Sequence, residues 1–230
     1  MSSSVDPGAA RPVEQHTFDE WPPALRALLD GTALASKIGF TASLITCDAS
    51  GHVRTSLVGI GELYAPDSRH LAFALWPNSR AARTLASPTQ SAAYSGGAGR
   101  ISGEALAVTA PRHGHQRTRA ALTFVHDEAF YQVQLGVDVL ANADASARAG
   151  AGAEAEMAEP PGGGLAQFIA SIDAGEMQQV GYARLTSGVT FELSGEASEQ
   201  HAVLDRWSRQ IERLRQAAHA QLAAGSAAGA

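Results

Sequence analysis

Apolar and polar residues alternate along several short stretches of this chain, the period of strands with one face buried. The clearest run is residues 130–140, where Tyr131, Val133, Leu135, Val137 and Val139 alternate with Gln132, Gln134, Gly136 and Asp138. The same period predicts strands over residues 38–46 (Phe40, Ala42 and Leu44 on one face), over 53–63 (Val53, Thr55 and Leu57 opposite Arg54 and Ser56) and over 71–76 (Leu71, Phe73 and Leu75 opposite Ala72 and Ala74). Asp48-Ala49-Ser50-Gly51 and Ala65-Pro66-Asp67-Ser68 supply the turns between them. Weaker strand signals cover 91–94, 100–108 and 189–193. Helical spacing appears instead after Trp21-Pro22-Pro23 (Leu25, Leu28, Leu29), over 79–85 (Ala82, Leu85), over 165–173 (Leu165, Phe168, Ile169, Ile172) and over 198–218 (Val203, Leu204, Trp207, Ile211, Leu214). Short turn-separated strands with one strong internal helix predict an α+β, mainly β chain. Its core is an antiparallel barrel of about six strands with helices at the ends.

Composition sets the frame around that core. With 230 residues, 45% of them hydrophobic, the chain can bury one sizeable core. Residues 1–16 are polar and read as disordered, residues 17–222 as one domain, and residues 223–230 as a disordered tail. Inside the domain, residues 141–164 are rich in Ala, Gly and Glu and have almost nothing to bury, which marks a mobile insertion. A net charge of -6 argues against nucleic-acid or acidic-membrane binding. Cys47 is the single cysteine, so no internal disulfide forms. Neither a secretory signal nor an apolar run long enough for a bilayer is visible, and a cytoplasmic location is expected.

The candidate chemistry gathers where the 71–76 strand meets the helix that follows. Asn78 and Ser79 suit a helix N-cap, and Arg80 and Arg83 stand on neighbouring turns. Unpaired N–H groups, a hydroxyl and two guanidinium groups together suit a phosphate, and Arg54 reaches the same place if its strand lies alongside. Other signals are weaker. Ala93-Tyr94-Ser95-Gly96-Gly97 approximates a nucleophile elbow, but lacks the first glycine and a following helix. Gly96-Gly97-Ala98-Gly99 lacks the lysine of a nucleotide loop and reads as a hairpin turn. His113, His115 and His126 have no carboxylate or thiol at ligand spacing and read as ordinary side chains, so no metal site is expected. Arg206, Arg209, Arg213 and Arg215 are interleaved with Asp205 and Glu212 and read as a solvated helix face.

The order of these residues resembles a known family. A hairpin carrying Arg54-Thr55-Ser56 is followed by a strand ending Phe73-Ala74-Leu75-Trp76, and then by a Ser79-Arg80 turn. A helix ending Thr84-Leu85 and a strand with Arg100-Ile101-Ser102-Gly103-Glu104-Ala105 complete the series. Together, over residues 35–140, they resemble the pyridoxamine 5'-phosphate oxidase-like, FMN-binding split β-barrel superfamily. The resemblance implies a six-stranded split barrel that forms a homodimer and holds FMN in clefts between the subunits. It assigns the flavin phosphate to Arg54, Ser79 and Arg80, with Arg83 beside them, and the isoalloxazine ring to Thr55, Ser56, Leu75 and Trp76. Two departures stand out: the family's oxidases have lysines where this chain has Gly59 and Ala81. The function this implies is FMN-dependent redox chemistry on a small molecule, in which the flavin carries the hydride and the protein supplies binding and orientation. The alternative is a non-enzymatic barrel whose cleft holds haem, a flavin-like cofactor or nothing.

Overall fold

The computed structural model describes residues 13–87, 117–140 and 164–228. Expectations that fall on 1–12, 88–116, 141–163 and 229–230 lie outside the described residues. These include the strands at 91–94 and 100–108, the glycine run, His113, His115, and all but Gly164 of the Ala/Gly-rich insertion. The described elements are strands β1 (Glu14–Phe18), β2 (Thr41–Cys47), β3 (Val53–Gly59), β4 (Leu63–Tyr64), β5 (His70–Leu75), β6 (Thr118–His126), β7 (Ala129–Val139) and β8 (Ala166–Gln179), with helices α1 (Pro23–Leu28), α2 (Arg80–Ala86) and α3 (Ala197–Ala228).

All the strands join one antiparallel sheet in the order β3-β2-β6-β7-β8-β5-β4, with β1 also paired to β8. The sheet curls into a half-barrel. The expected count of six strands is therefore corrected to eight among the described residues. The long β8 is the spine. One of its edges pairs with β7 along most of its length, and the other with β5 and then β1. Its register against β7 slips at Gln134/Leu135, where Asp173 is the extra residue.

Four other expectations are corrected. Of residues 165–173, read as a helix, all but Leu165 belong to β8. Gln167, Phe168, Ile169 and Ala170 are all buried, so both faces of the strand are covered there and the alternation that marks a half-exposed strand is lost. Glu14–His16, expected to be disordered, pair with Met177–Gln179. The last helix continues past residue 218 to Ala228, so the expected tail at 223–230 is mostly helical. The 189–193 segment forms no strand, and Val189 is exposed.

The core follows the sequence pattern elsewhere. Leu25, Leu28 and Leu29 of α1 and its exit are buried, as are Ala42 and Leu44 of β2, Leu71, Phe73 and Leu75 of β5, and Val133, Leu135 and Val137 of β7. The turns close as their residues dictate. Asp48 Oδ1 accepts from the Ser50 and His52 N–H groups, and Asp67 Oδ1 from those of Arg69 and His70. On the far side, α3 packs its Ile211, Leu214 and Ala218 stripe against β4, β5 and the 3-10 turn Ile60–Glu62. Gly61 makes that contact possible: a Cβ there would lie 2.3 Å from the Trp207 ring. Arg206, Arg209 and Arg213 point to solvent, while Arg215 sits 5.2 Å from the Tyr64 ring centre and pairs with Glu212.

Two carboxyl environments give the fold opposite responses to pH. Burial holds Glu62 above the ordinary carboxylate range, and a hydrogen bond from the Gly59 N–H offsets this only in part. Asp67 also feels burial, but hydrogen bonds from Arg69 N–H and the His70 ring outweigh it and hold its carboxyl below the ordinary range. A carboxyl whose pKa rises on folding binds more protons in the folded chain. Its contribution to stability is therefore full below the unfolded value, about 4.3 for Glu, and falls as pH climbs through the folded value. Asp67 contributes above its unfolded value, and that contribution is lost as pH falls through its depressed folded value. Glu62→Gln keeps an oxygen for the Gly59 N–H and removes the charge. Its melting temperature is expected to gain on wild type progressively from pH 4 to pH 7. A difference that stays flat across that range contradicts the assignment.

Candidate functional site

The site is built on β3 and α2. In β3 the partition of side chains agrees with the alternation, but the burial is the reverse of ordinary patterning. Val53 and Leu57 are exposed at 68% and 57%, while Arg54 and Ser56 are half-buried on the opposite face with the core residue Val58. The register pairs Arg54 with Thr46 and Ser56 with Leu44, both buried residues of β2. Arg54 and Ser56 thus face inward and Thr55 outward.

The helix approaches from that inner side. Ser79 is the N-cap, its Oγ accepting from the Ala82 N–H at 3.1 Å. Ala81, Ala82 and Leu85 enter the same core as Ala42, Leu44 and Val58, so α2 packs across β2, β3 and β7. Arg80 and Arg83 are exposed, with no side-chain partner among the described residues. Trp76, at the strand end just before the helix, is 46% exposed, whereas Leu75 is a core residue and offers no surface. No hydrogen bond or ion pair links Arg54 to Ser79 or Arg80. The structure brings their elements together, not the side chains themselves.

Arg54 has only a loose partner. Its Nη2 lies 3.5 Å from Asp48 Oδ2 across the hairpin turn. Asp48 is held below the ordinary carboxylate range mainly by the His52 N–H, with smaller contributions from Ser50 N–H, the His52 ring and Arg54. Beside Arg54, the Thr46 hydroxyl is fully buried and has no partner in the structure. A buried polar atom left unpaired costs free energy, and such atoms collect at sites where something else completes them. Alternating strand residues could not have revealed Thr46, because a threonine in a strand is ordinary by propensity.

One of the two missing lysines has a structural cause. Ala81 is 1% exposed, so a lysine there would drive an ammonium into the core rather than toward a phosphate. At Gly59 the Phe191 ring stands 3.6 Å from where a Cβ would be. That is an ordinary van der Waals contact, so a side chain is tolerated at this position.

These observations define the molecule at one level. The chain is an antiparallel curled half-barrel. No family model matches the sequence, and no curated protein matches it. Among solved structures, it is similar to the crystal structure of a protein from Bacteroides thetaiotaomicron provisionally named for 5-nitroimidazole antibiotic resistance. That similarity has a TM-score of 0.34 at 6% identity, over 77% of this chain and 96% of the other. It is too distant to bear on activity. Among the described residues no helix is long and apolar enough to cross a membrane, and no group of three or more His, Cys, Asp or Glu side chains could hold a metal ion.

Proposed function

We propose that the chain binds FMN in the cleft between the inner face of β3 and the start of α2, as a homodimer, and serves as a flavin-dependent oxidoreductase on a small molecule. The observation that carries this reading is the inward pair of Arg54 and the unpartnered, fully buried Thr46 hydroxyl, on the face that α2 packs against. In this reading Arg54 leaves its loose contact with Asp48 for a phosphate dianion, a stronger charge-assisted partner. Arg80, Arg83 and the Ser79 hydroxyl, which still has its hydrogen to donate, complete the phosphate's surroundings. Ser56 and Trp76 supply polar and aromatic surface for the ring system. Thr55, on the outer face of β3, and Leu75, in the core, stand outside that role.

When bound, the flavin would itself accept and donate the hydride. The protein's part is to hold the cofactor by its phosphate, orient the ring and exclude water. No side chain is assigned an acid or base role.

The dimer rests on the Val53 end of the outer face of β3, which among the described residues is an edge strand. An exposed apolar edge invites pairing with another chain. Val53→Asp is expected to shift the protein from dimer toward monomer at micromolar concentration in light scattering, with its melting curve little changed. An unaltered dimer would place the interface elsewhere, and a monomeric wild type would remove it.

The non-enzymatic reading has one observation in its favour: Ala81 cannot be a phosphate ligand, so the phosphate's cationic ligands are arginines alone. A visible spectrum of freshly purified protein, before and after addition of FMN or haem, separates the readings. The flavin proposal requires flavin absorption that persists through desalting. Haem absorption alone, or none after reconstitution, overturns it.

A further inference from the structure

A second concavity lies at the other end of β3, away from Arg54. A cavity of about 280 Å³ opens between the Ile60–Glu62 turn, the irregular 189–191 segment and α3. The rings of Phe191 and Trp207 meet there edge to face, with centroids 6.0 Å apart at 88°, and the exposed Leu57 and Val189 form its lips.

Glu62 carries the only charge among the lining residues. Its Oε2 accepts from the Gly59 N–H at 2.8 Å, and no cationic side chain pairs with it among the described residues. A carboxylate in such surroundings is costly to ionise unless a positive charge joins it. Aromatic rings attract ammonium groups electrostatically, and apolar walls take up an alkyl body. An anion would be repelled by Glu62. A neutral ligand would use the walls and leave the carboxylate uncompensated. The volume is at the small end of ligand pockets, which limits the occupant to a few carbons.

We propose that this cavity binds a small aliphatic ammonium ion, its charged head beside Glu62 and its alkyl chain against Phe191, Trp207, Leu57 and Val189. The site is separate from the proposed flavin cleft.

Calorimetric titration of the full chain with n-butylammonium, n-butanol and n-butyrate, at constant ionic strength, tests the idea without any flavin. Butylammonium is expected to bind saturably at one site, butanol at least about tenfold more weakly, and butyrate not at all. Glu62→Gln should weaken butylammonium by about tenfold or more and leave butanol unchanged. Should that variant fail to fold, Val189→Glu adds a second carboxylate at an exposed lip, and is expected to tighten butylammonium severalfold. Equal affinities for the amine and the alcohol overturn the proposal. So does a butylammonium affinity indifferent to both substitutions, or no saturable heat up to about 10 mM. None of these outcomes touches the flavin reading, which the visible spectrum decides independently.

Discussion

Replacing Phe168 with alanine is expected to cost about 3–5 kcal/mol of folding free energy, the usual range for an aromatic truncated in a packed core. Phe168 is fully buried on the spine strand β8, opposite Phe73 of β5 in the register, and the two rings stack with centroids 5.3 Å apart at 18°. The loss combines burial, a cavity between two strands, and the stacking of the pair. For a chain of this size, that lowers the melting temperature by on the order of 10 °C. Phe168→Leu fills most of the space and should cost clearly less. Urea unfolding of the three proteins measures the difference. An alanine variant within about 1 kcal/mol of wild type would mean that β8 is not the centre of the core.

How much of this was legible in the sequence depended on how each strand is buried. Strands β2, β5 and β7 were readable because Leu44, Phe73 and Val133 are buried while alternate neighbours on at least part of each strand are polar or small. Strand β8 was hidden by burial on both faces. Its Phe168, Ile169 and Ile172, with Leu165 just before the strand, happen to fit a helical period equally well, an ambiguity that length and propensity cannot resolve over a few residues. Strand β6 carries the same signal: Ala120, Leu122 and Phe124 are buried and alternate with Arg119, Ala121 and Thr123. Strand β1 left almost none, since Glu14, Gln15, His16 and Thr17 are exposed and the strand is defined by its pairing with β8 rather than by burial.

The candidate site was legible in part for a related reason. Ser79 as an N-cap follows from local chemistry, and the structure gives it that role. The inward placement of Arg54 depends on which face of β3 the sheet covers, and here the sheet covers the polar one. Propensity alone assigns Val53 and Leu57 to the core. Thr46, Glu62 and Phe191 acquire their significance only from neighbours distant in the chain.

The second large effect is expected from Arg54→Ala. If Arg54 donates charge-assisted hydrogen bonds to the FMN phosphate, its removal costs on the order of 1.5–3 kcal/mol, or roughly 10- to 100-fold in dissociation constant. Stability should change little, because the side chain is 40% exposed and its present contact with Asp48 is long and screened. Arg80→Ala, at an exposed position with no described partner, should act in the same direction. Riboflavin, which lacks the phosphate, should bind wild type and both variants nearly alike.

The most direct measurement is therefore a flavin-fluorescence titration of wild type, Arg54→Ala and Arg80→Ala with FMN and with riboflavin, in one buffer at one ionic strength. A phosphate held between β3 and α2 predicts that wild type prefers FMN by at least about tenfold, and that this preference collapses in Arg54→Ala while riboflavin affinity stays put. Equal affinity of wild type for the two flavins, or an FMN preference that survives both substitutions, would contradict a phosphate site at this cleft.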